Sequence, residues 1–208
     1  MRSSAYDVAV TTLESAPAPT GAGLPAAPKA LAWLFTLAGA VALIAAFTLS
    51  VEKVKLLLEP DYVPSCNFSA VLSCTNIMKT DQASVFGFPN PFMGLIGFAV
   101  VVTLGVVLLS GVRLPEWMWV GTQIGMTFGA GFIVWLQYES LYVIGSLCPW
   151  CMVVWAMMLP LFWYTTVRNL GAWLPGNRVA GFVRDWNVLI LALWYVAIIA
   201  AIFFRFYA

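Results

Sequence analysis

Five apolar runs, each close to the length a helix needs to cross a bilayer, constrain this chain more than anything else in it. They occupy residues 31–50, 92–110, 117–136, 147–167 and 188–204, and none contains Asp, Glu, Lys or Arg. A hydrocarbon core about 30 Å thick takes roughly 20 apolar residues of helix. Inside it no water pairs with backbone N–H and C=O, so runs of this kind fold as helices. The expected fold is an all-α integral membrane protein. Composition agrees: 62% of the residues are hydrophobic and 9% charged, where a soluble domain carries about 25% charged. A net charge of +1 offers no field for nucleic acid. The chain has no histidine, which excludes His-ligated haem and hydrolases built on Ser–His or Cys–His pairs.

Residues 1–28 are Ala, Pro, Gly, Ser and Thr with scattered charge. They hold too little apolar surface to offset the entropy of ordering, so a disordered cytoplasmic tail is expected. The first apolar run begins near Leu31, too far from Arg2 for a signal peptide. Residues 29–208 then form one transmembrane domain with a long extracytoplasmic loop at 52–91. The opening of that loop reads as a helix extension or an interfacial segment ended by Pro60. An insertion of this length in a compact chain is usually functional, and this one holds Cys66 and Cys74.

Five spans place the termini on opposite sides. With the tail cytoplasmic, that side carries Arg2, Lys29, Arg113, Arg168, Arg178 and Arg184, against Lys53, Lys55, Lys79 and Arg205 outside. The excess favours this orientation. It also places Cys66, Cys74, Cys148 and Cys151 outside, where disulfides persist. The expected location is the plasma (inner) membrane, multi-pass, with the active site extracytoplasmic.

The second cysteine pair is Cys148-Pro149-Trp150-Cys151, at the start of the fourth run. Cys148 suits the cap position and Pro149 the first helical position, where its missing N–H costs nothing. Free amides and the positive helix end there favour a thiolate. Cys151 lies about 4.5 Å deeper along the axis, so one sulfur can face water and the other the bilayer. Three readings compete. Two structural disulfides are one, although a bridge between residues three apart removes little chain entropy. A four-thiolate metal site is another, but the first pair spans seven intervening residues rather than two to four. A redox relay between the pairs joins the loop, the helix-end motif and the oxidising side, and is preferred.

The order of these parts resembles the vitamin K epoxide reductase family, in particular its bacterial disulfide-forming members. The resemblance rests on a first-loop Cys66-x7-Cys74 preceded by Ser73, on Asn90 in FGFPNPFMG, and on Cys148-x-x-Cys151 opening the fourth span, and it covers residues 31–170. It implies a four-helix transmembrane bundle around a quinone pocket, to which the fifth helix is an addition. DsbB-like proteins place their Cys-x-x-Cys in the first loop; here it comes last. The resemblance further implies that Cys66 and Cys74 shuttle electrons from an extracytoplasmic thioredoxin-like (DsbA-like) protein. Cys74 then exchanges with Cys148, and Cys151 faces the quinone, menaquinone by likeness to bacterial members. Asn90 matches the donor to a quinone carbonyl, and Trp155, one turn from Cys151, is a candidate pocket wall. Vertebrate members carry Tyr at the position of Trp155. An indole N–H cannot reproduce a phenol, which speaks against epoxide reduction and leaves quinone reduction.

Other features have plainer readings. Asn90 alone is adequate as a helix cap. Gly121, Gly125 and Gly129 recur every four residues, which reads as close helix packing, with a ligand groove as the second reading. The spans lack the ionisable groups that ion and proton pathways usually need, so a small transporter, or a structural membrane protein with structural disulfides, is the alternative function.

Overall fold

The computed structural model describes residues 28–207. All of the expected disordered tail but Pro28, together with residue 208, lies outside the described residues. In chain order the helices are α1 (Lys29–Leu58), α2 (Cys74–Met78), α3 (Asn90–Leu109), α4 (Glu116–Tyr138), α5 (Pro149–Trp173), α6 (Arg178–Asp185) and α7 (Asn187–Phe206). A 3₁₀ turn covers Asp81–Ser84, and a π-helix, Glu139–Ile144, prolongs α4. Five helices are long and apolar enough to cross a membrane: α1, α3, α5, α7, and α4 with its π extension. The all-α membrane fold expected from the sequence is the fold observed.

Local chemistry sets the helix ends. Pro89 and Pro115 precede α3 and α4, and Pro149 opens α5 where no N–H is needed. Gly111 (φ 84°) follows α3 and Gly145 (φ 69°) closes the π-helix, both in the left-handed region that glycine enters without steric cost. α1 runs on past the expected end at Ser50 to Leu58, so the helix-extension reading of the loop opening is correct.

α1 is the central helix. It packs along α3 and α5, while α4 packs on α5. The middle of its inward face is made of small residues, Ala38, Gly39, Ala42, Ala45 and Ala46, which let α3 approach closely. At the tightest point a Cβ added to Gly105 would lie 2.6 Å from the backbone nitrogen of Thr36. α7 rests lightly on α5 and the π-helix and buries none of its residues.

α3 and α4 make little direct contact, and a gap opens between them. Gly121 and Gly125 face it, with nothing within 4 Å of a Cβ built on either. Their expected role in close packing is therefore corrected: they border a groove. Only Gly129 meets a neighbour, the Met158 side chain of α5.

The Gly105 contact predicts a contrast. Gly105→Ala should lower stability by about 1–3 kcal/mol, because backbone cannot yield as a side chain does. Gly125→Ala should stay within about 0.5 kcal/mol of the parent. Thermal unfolding of the two variants in detergent measures the difference.

Candidate redox site

The chain from Cys66 to Cys74 is folded by one asparagine. Asn67 Oδ1 accepts from the Thr75 backbone N–H (3.1 Å) and the Ser73 hydroxyl (3.2 Å), and Nδ2 donates to Thr75 Oγ1 (2.7 Å). This closes the segment so that Cys66 and Cys74 meet as a disulfide. Ser73 then caps α2, accepting from the Asn76 N–H, so Cys74 is the first residue of that helix.

A second set of bonds fixes the pair against α5. Leu72 and Leu147 form an isolated parallel bridge. The Leu147 N–H donates to Val71 O at 2.7 Å, and the Ser73 N–H donates to Leu147 O at 2.9 Å. Asn76 Nδ2 reaches Ser146 Oγ at 2.9 Å. Each residue after the bridge, Ser73-Cys74 on one strand and Cys148 on the other, is thereby set beside its counterpart. Cys74 Sγ lies 3.2 Å from Cys148 Sγ, closer than ordinary van der Waals contact. Cys148 caps α5 as expected, its sulfur accepting from the Cys151 N–H at 3.4 Å.

Cys66, Cys74 and Cys148 are all buried, at 2%, 0% and 1% exposure, in one cluster with Leu49, Leu56 and Met78. The expectation that Cys148 faces water is not met, because the 59–89 segment covers it. With Cys66 and Cys74 joined, no four-thiolate site is formed, and Cys148 and Cys151 are free thiols. The Cys148 thiol is held below the ordinary cysteine range. Its hydrogen bond to the Cys151 side chain is the main cause; burial opposes it, and the backbone amides of Cys151 and Trp150 add to the lowering.

Cys148 and Cys151 line a cavity of about 550 Å³ whose walls are almost wholly apolar. Asn90 and Trp155 also line it, so the structure brings both predicted residues to the same space as the second cysteine pair. Trp155 is 4% exposed, a packed wall. Asn90 pins the 3₁₀ turn: Nδ2 donates to Gln82 O at 2.7 Å, and Oδ1 accepts from the Val85 N–H at 3.2 Å. The cavity continues down the gap between α3 and α4, past Gly125 and Gly121 to Trp117.

Sequence reasoning missed the charged groups of this region. Lys53 and Glu139 line the cavity, and Glu52 is buried beside the loop, accepting from Ser65 Oγ at 2.8 Å. The apolar runs themselves hold no Asp, Glu, Lys or Arg, as read, but α1 and the π-helix extend beyond them and carry such groups inward. A signal existed. Ala42, Ala46, Leu49, Lys53 and Leu56 recur every three or four residues, one continuous helix face.

A family model, the vitamin K epoxide reductase family, matches residues 33–166. The match takes in all four cysteines, Asn90 and Trp155, and ends before α6 and α7. No curated protein matches the chain.

The position of Cys151 gives a test of the thiol chemistry. In Cys151→Ala the midpoint of Cys148 alkylation should move to higher pH, because the sulfur that holds the thiol down is gone. The rate of modification by a small alkylating agent, followed against pH by mass spectrometry, reads it. An unchanged midpoint would assign the lowering to the helix amides alone.

Proposed function

The chain belongs to the vitamin K epoxide reductase family, and on that premise we propose that it carries electrons from an extracytoplasmic thioredoxin-like, DsbA-like protein through two cysteine pairs to a membrane quinone, supporting disulfide formation. Membership makes it a multi-pass membrane oxidoreductase. The finer reading is carried by one observation: Cys74 of the closed Cys66–Cys74 disulfide stands 3.2 Å from the free Cys148 thiol.

The cavity suits a quinone. Its volume falls within the ordinary range for small-molecule sites, about 300–1,000 Å³. Polar groups gather at the cysteine end, and the groove beyond them is apolar along the α3–α4 gap, as an isoprenoid tail would require. Cys151 and Asn90 would border the ring, with Trp155 as a wall. A bound quinone supplies a sink for two electrons and two protons; the protein supplies placement. By resemblance we take menaquinone.

The sulfur chemistry is a chain of exchanges, each a thiolate attacking one sulfur of a disulfide and releasing the other. A partner thiolate attacks Cys66, breaking Cys66–Cys74 and releasing Cys74. Cys74 attacks Cys148 of an oxidised Cys148–Cys151 pair, and Cys151 leaves as a thiolate at the cavity wall. The partner's second thiol frees Cys66, which attacks Cys74, re-forms Cys66–Cys74 and releases Cys148. The state that would follow this last step has Cys66–Cys74 closed and Cys148 and Cys151 free. The sulfur contact supports an exchange without a long swing of Cys74. Net, the partner dithiol becomes a disulfide and Cys148–Cys151 becomes a dithiol, whose two electrons and two protons pass on to the quinone.

In this reading the working unit is α1, α3, α4 and α5 within residues 29–208, and α7 is an addition. The extracytoplasmic placement of the site is supported by the charge count. A membrane-impermeant thiol reagent should label reduced Cys66 and Cys74 in intact cells; labelling only after permeabilisation would reverse the orientation.

Single substitutions should trap different species, mapped by non-reducing peptide analysis. In Cys74→Ser the lone Cys66 thiol should capture the partner's disulfide form as a mixed disulfide. In Cys151→Ser the Cys148 thiolate should attack Cys74 of Cys66–Cys74, release Cys66 and accumulate as a Cys74–Cys148 bridge. A dominant Cys66–Cys148 bridge would exchange the roles within the first pair. Full activity in both variants would end the relay. Gly125→Leu should slow quinone reduction by roughly tenfold or more by filling the groove, while exchange between the cysteine pairs, read by the same mapping, is unchanged.

A further inference from the structure

One buried cation has no part in the sulfur chemistry. Lys53 lies on the α1 face between Leu49 and Leu56, both of which pack in the cysteine cluster. It is 8% exposed and lines the same cavity as Cys148 and Cys151. Its ammonium donates to the backbone carbonyl of Met78. An ammonium has three N–H groups, so that carbonyl leaves donors for another acceptor. Among the described residues Lys53 has no carboxylate within ion-pair distance. The neighbouring Glu52 is turned to Ser65, Lys55 stacks over Tyr62, and Glu139, the other charged residue of the cavity lining, is held by Gln82 Nε2 at 3.3 Å.

An ammonium kept in an apolar cavity without a counter-ion is costly, so its presence there calls for a function. The cost is recovered when negative charge forms in the cavity, where low dielectric makes the attraction strong. The proposed reaction forms such charge on the oxygens of the acceptor. We infer that Lys53 is a catalytic residue of the quinone step, binding the oxygen that gains negative charge and passing it a proton. The inference rests on the quinone reading of the cavity. Oxidation of the Cys148–Cys151 dithiol to its disulfide releases two electrons and two protons. Lys53 Nζ gives one proton to the acceptor oxygen and regains one from the thiol protons released, so it ends charged as it began. The quinone takes both electrons and, in total, both protons.

The test separates charge from hydrogen bonding. Lys53→Gln keeps a donor for Met78 O but no charge; Lys53→Arg keeps both. In detergent, with electron transfer blocked by Cys148→Ser and Cys151→Ser, binding is followed by quenching of tryptophan fluorescence. The two probes are 1,4-naphthoquinone, which is neutral, and 2-hydroxy-1,4-naphthoquinone, an anion at neutral pH. Lys53→Gln should weaken the anionic probe by about tenfold or more and leave the neutral one unchanged, whereas Lys53→Arg should bind both as the parent does. Turnover of unblocked protein, with excess dithiothreitol as dithiol and 1,4-naphthoquinone as acceptor, should fall about a hundredfold in Lys53→Gln. Equal binding of the anion by Lys53→Gln and parent would overturn the role of Lys53 while leaving the quinone reading intact. A parent protein that neither binds nor reduces 1,4-naphthoquinone would overturn both. Loss of both probes in Lys53→Gln, with Lys53→Arg also inactive, would make Lys53 a structural anchor of Met78.

Discussion

Everything at the cysteine end depends on the short bridge between Leu72 and Leu147. Its backbone hydrogen bonds join a loop that begins after α1 to the residue just before α5. Without them Cys74 and Cys148, 74 positions apart in sequence, would have no common register. Side-chain bonds alone hold position poorly, since each long side chain brings its own rotamer freedom. A backbone pair fixes its neighbours to within the spread of one peptide unit. Short asparagine side chains, Asn67 within the loop and Asn76 across it, add bonds to that backbone register, so the main chains that carry Cys66, Cys74 and Cys148 are held together from several directions.

The bundle divides into two materials. Away from the cysteines, α1 and α3 meet through alanine and glycine with no space left over. On the other flank, α4 leans on α5 and turns glycines toward a gap that α3 does not fill. One kind of residue thus serves opposite ends: absence of a side chain permits contact at Gly105 and leaves room at Gly125. Which outcome follows is decided by the neighbouring helix, since a membrane helix has no hydrophobic drive toward one partner over another. The rigid half holds the groove open.

That dependence explains what was legible in the sequence. The five spans, the all-α fold and the cap at Cys148-Pro149 were readable, because bilayer thickness and helix-start chemistry act locally. The glycine stripe was misread, since its spacing is the same whether a helix or a void faces it. Lys53 and Glu52 were read as the end of a span because charge marks a boundary in a hydropathy scan; the inward face of α1 simply continues through them. The burial of Cys148 could not be foreseen from the helix cap, as it comes from loop residues tens of positions earlier. Asn90 shows both of its possible characters at once: it borders the cavity and its polar atoms hold the 3₁₀ turn.

The closed Cys66–Cys74 disulfide presents 2% and 0% of its cysteines' surface to the outside. An attacking thiolate must approach along the axis of the sulfur–sulfur bond, and that approach is closed while the 59–89 segment, which carries the pair, stays packed against Leu49, Leu56 and Cys148. In the proposed exchange, the rate with any donor would be the product of an opening equilibrium and an intrinsic exchange rate. Reduction potential governs only the end point. A donor that bound the segment in an open form would multiply its own rate, while a small thiol would wait for spontaneous opening. On the proposed function, burial of two sulfurs would turn a thermodynamically open couple into a kinetically selective one, in which recognition is exercised before any electron moves.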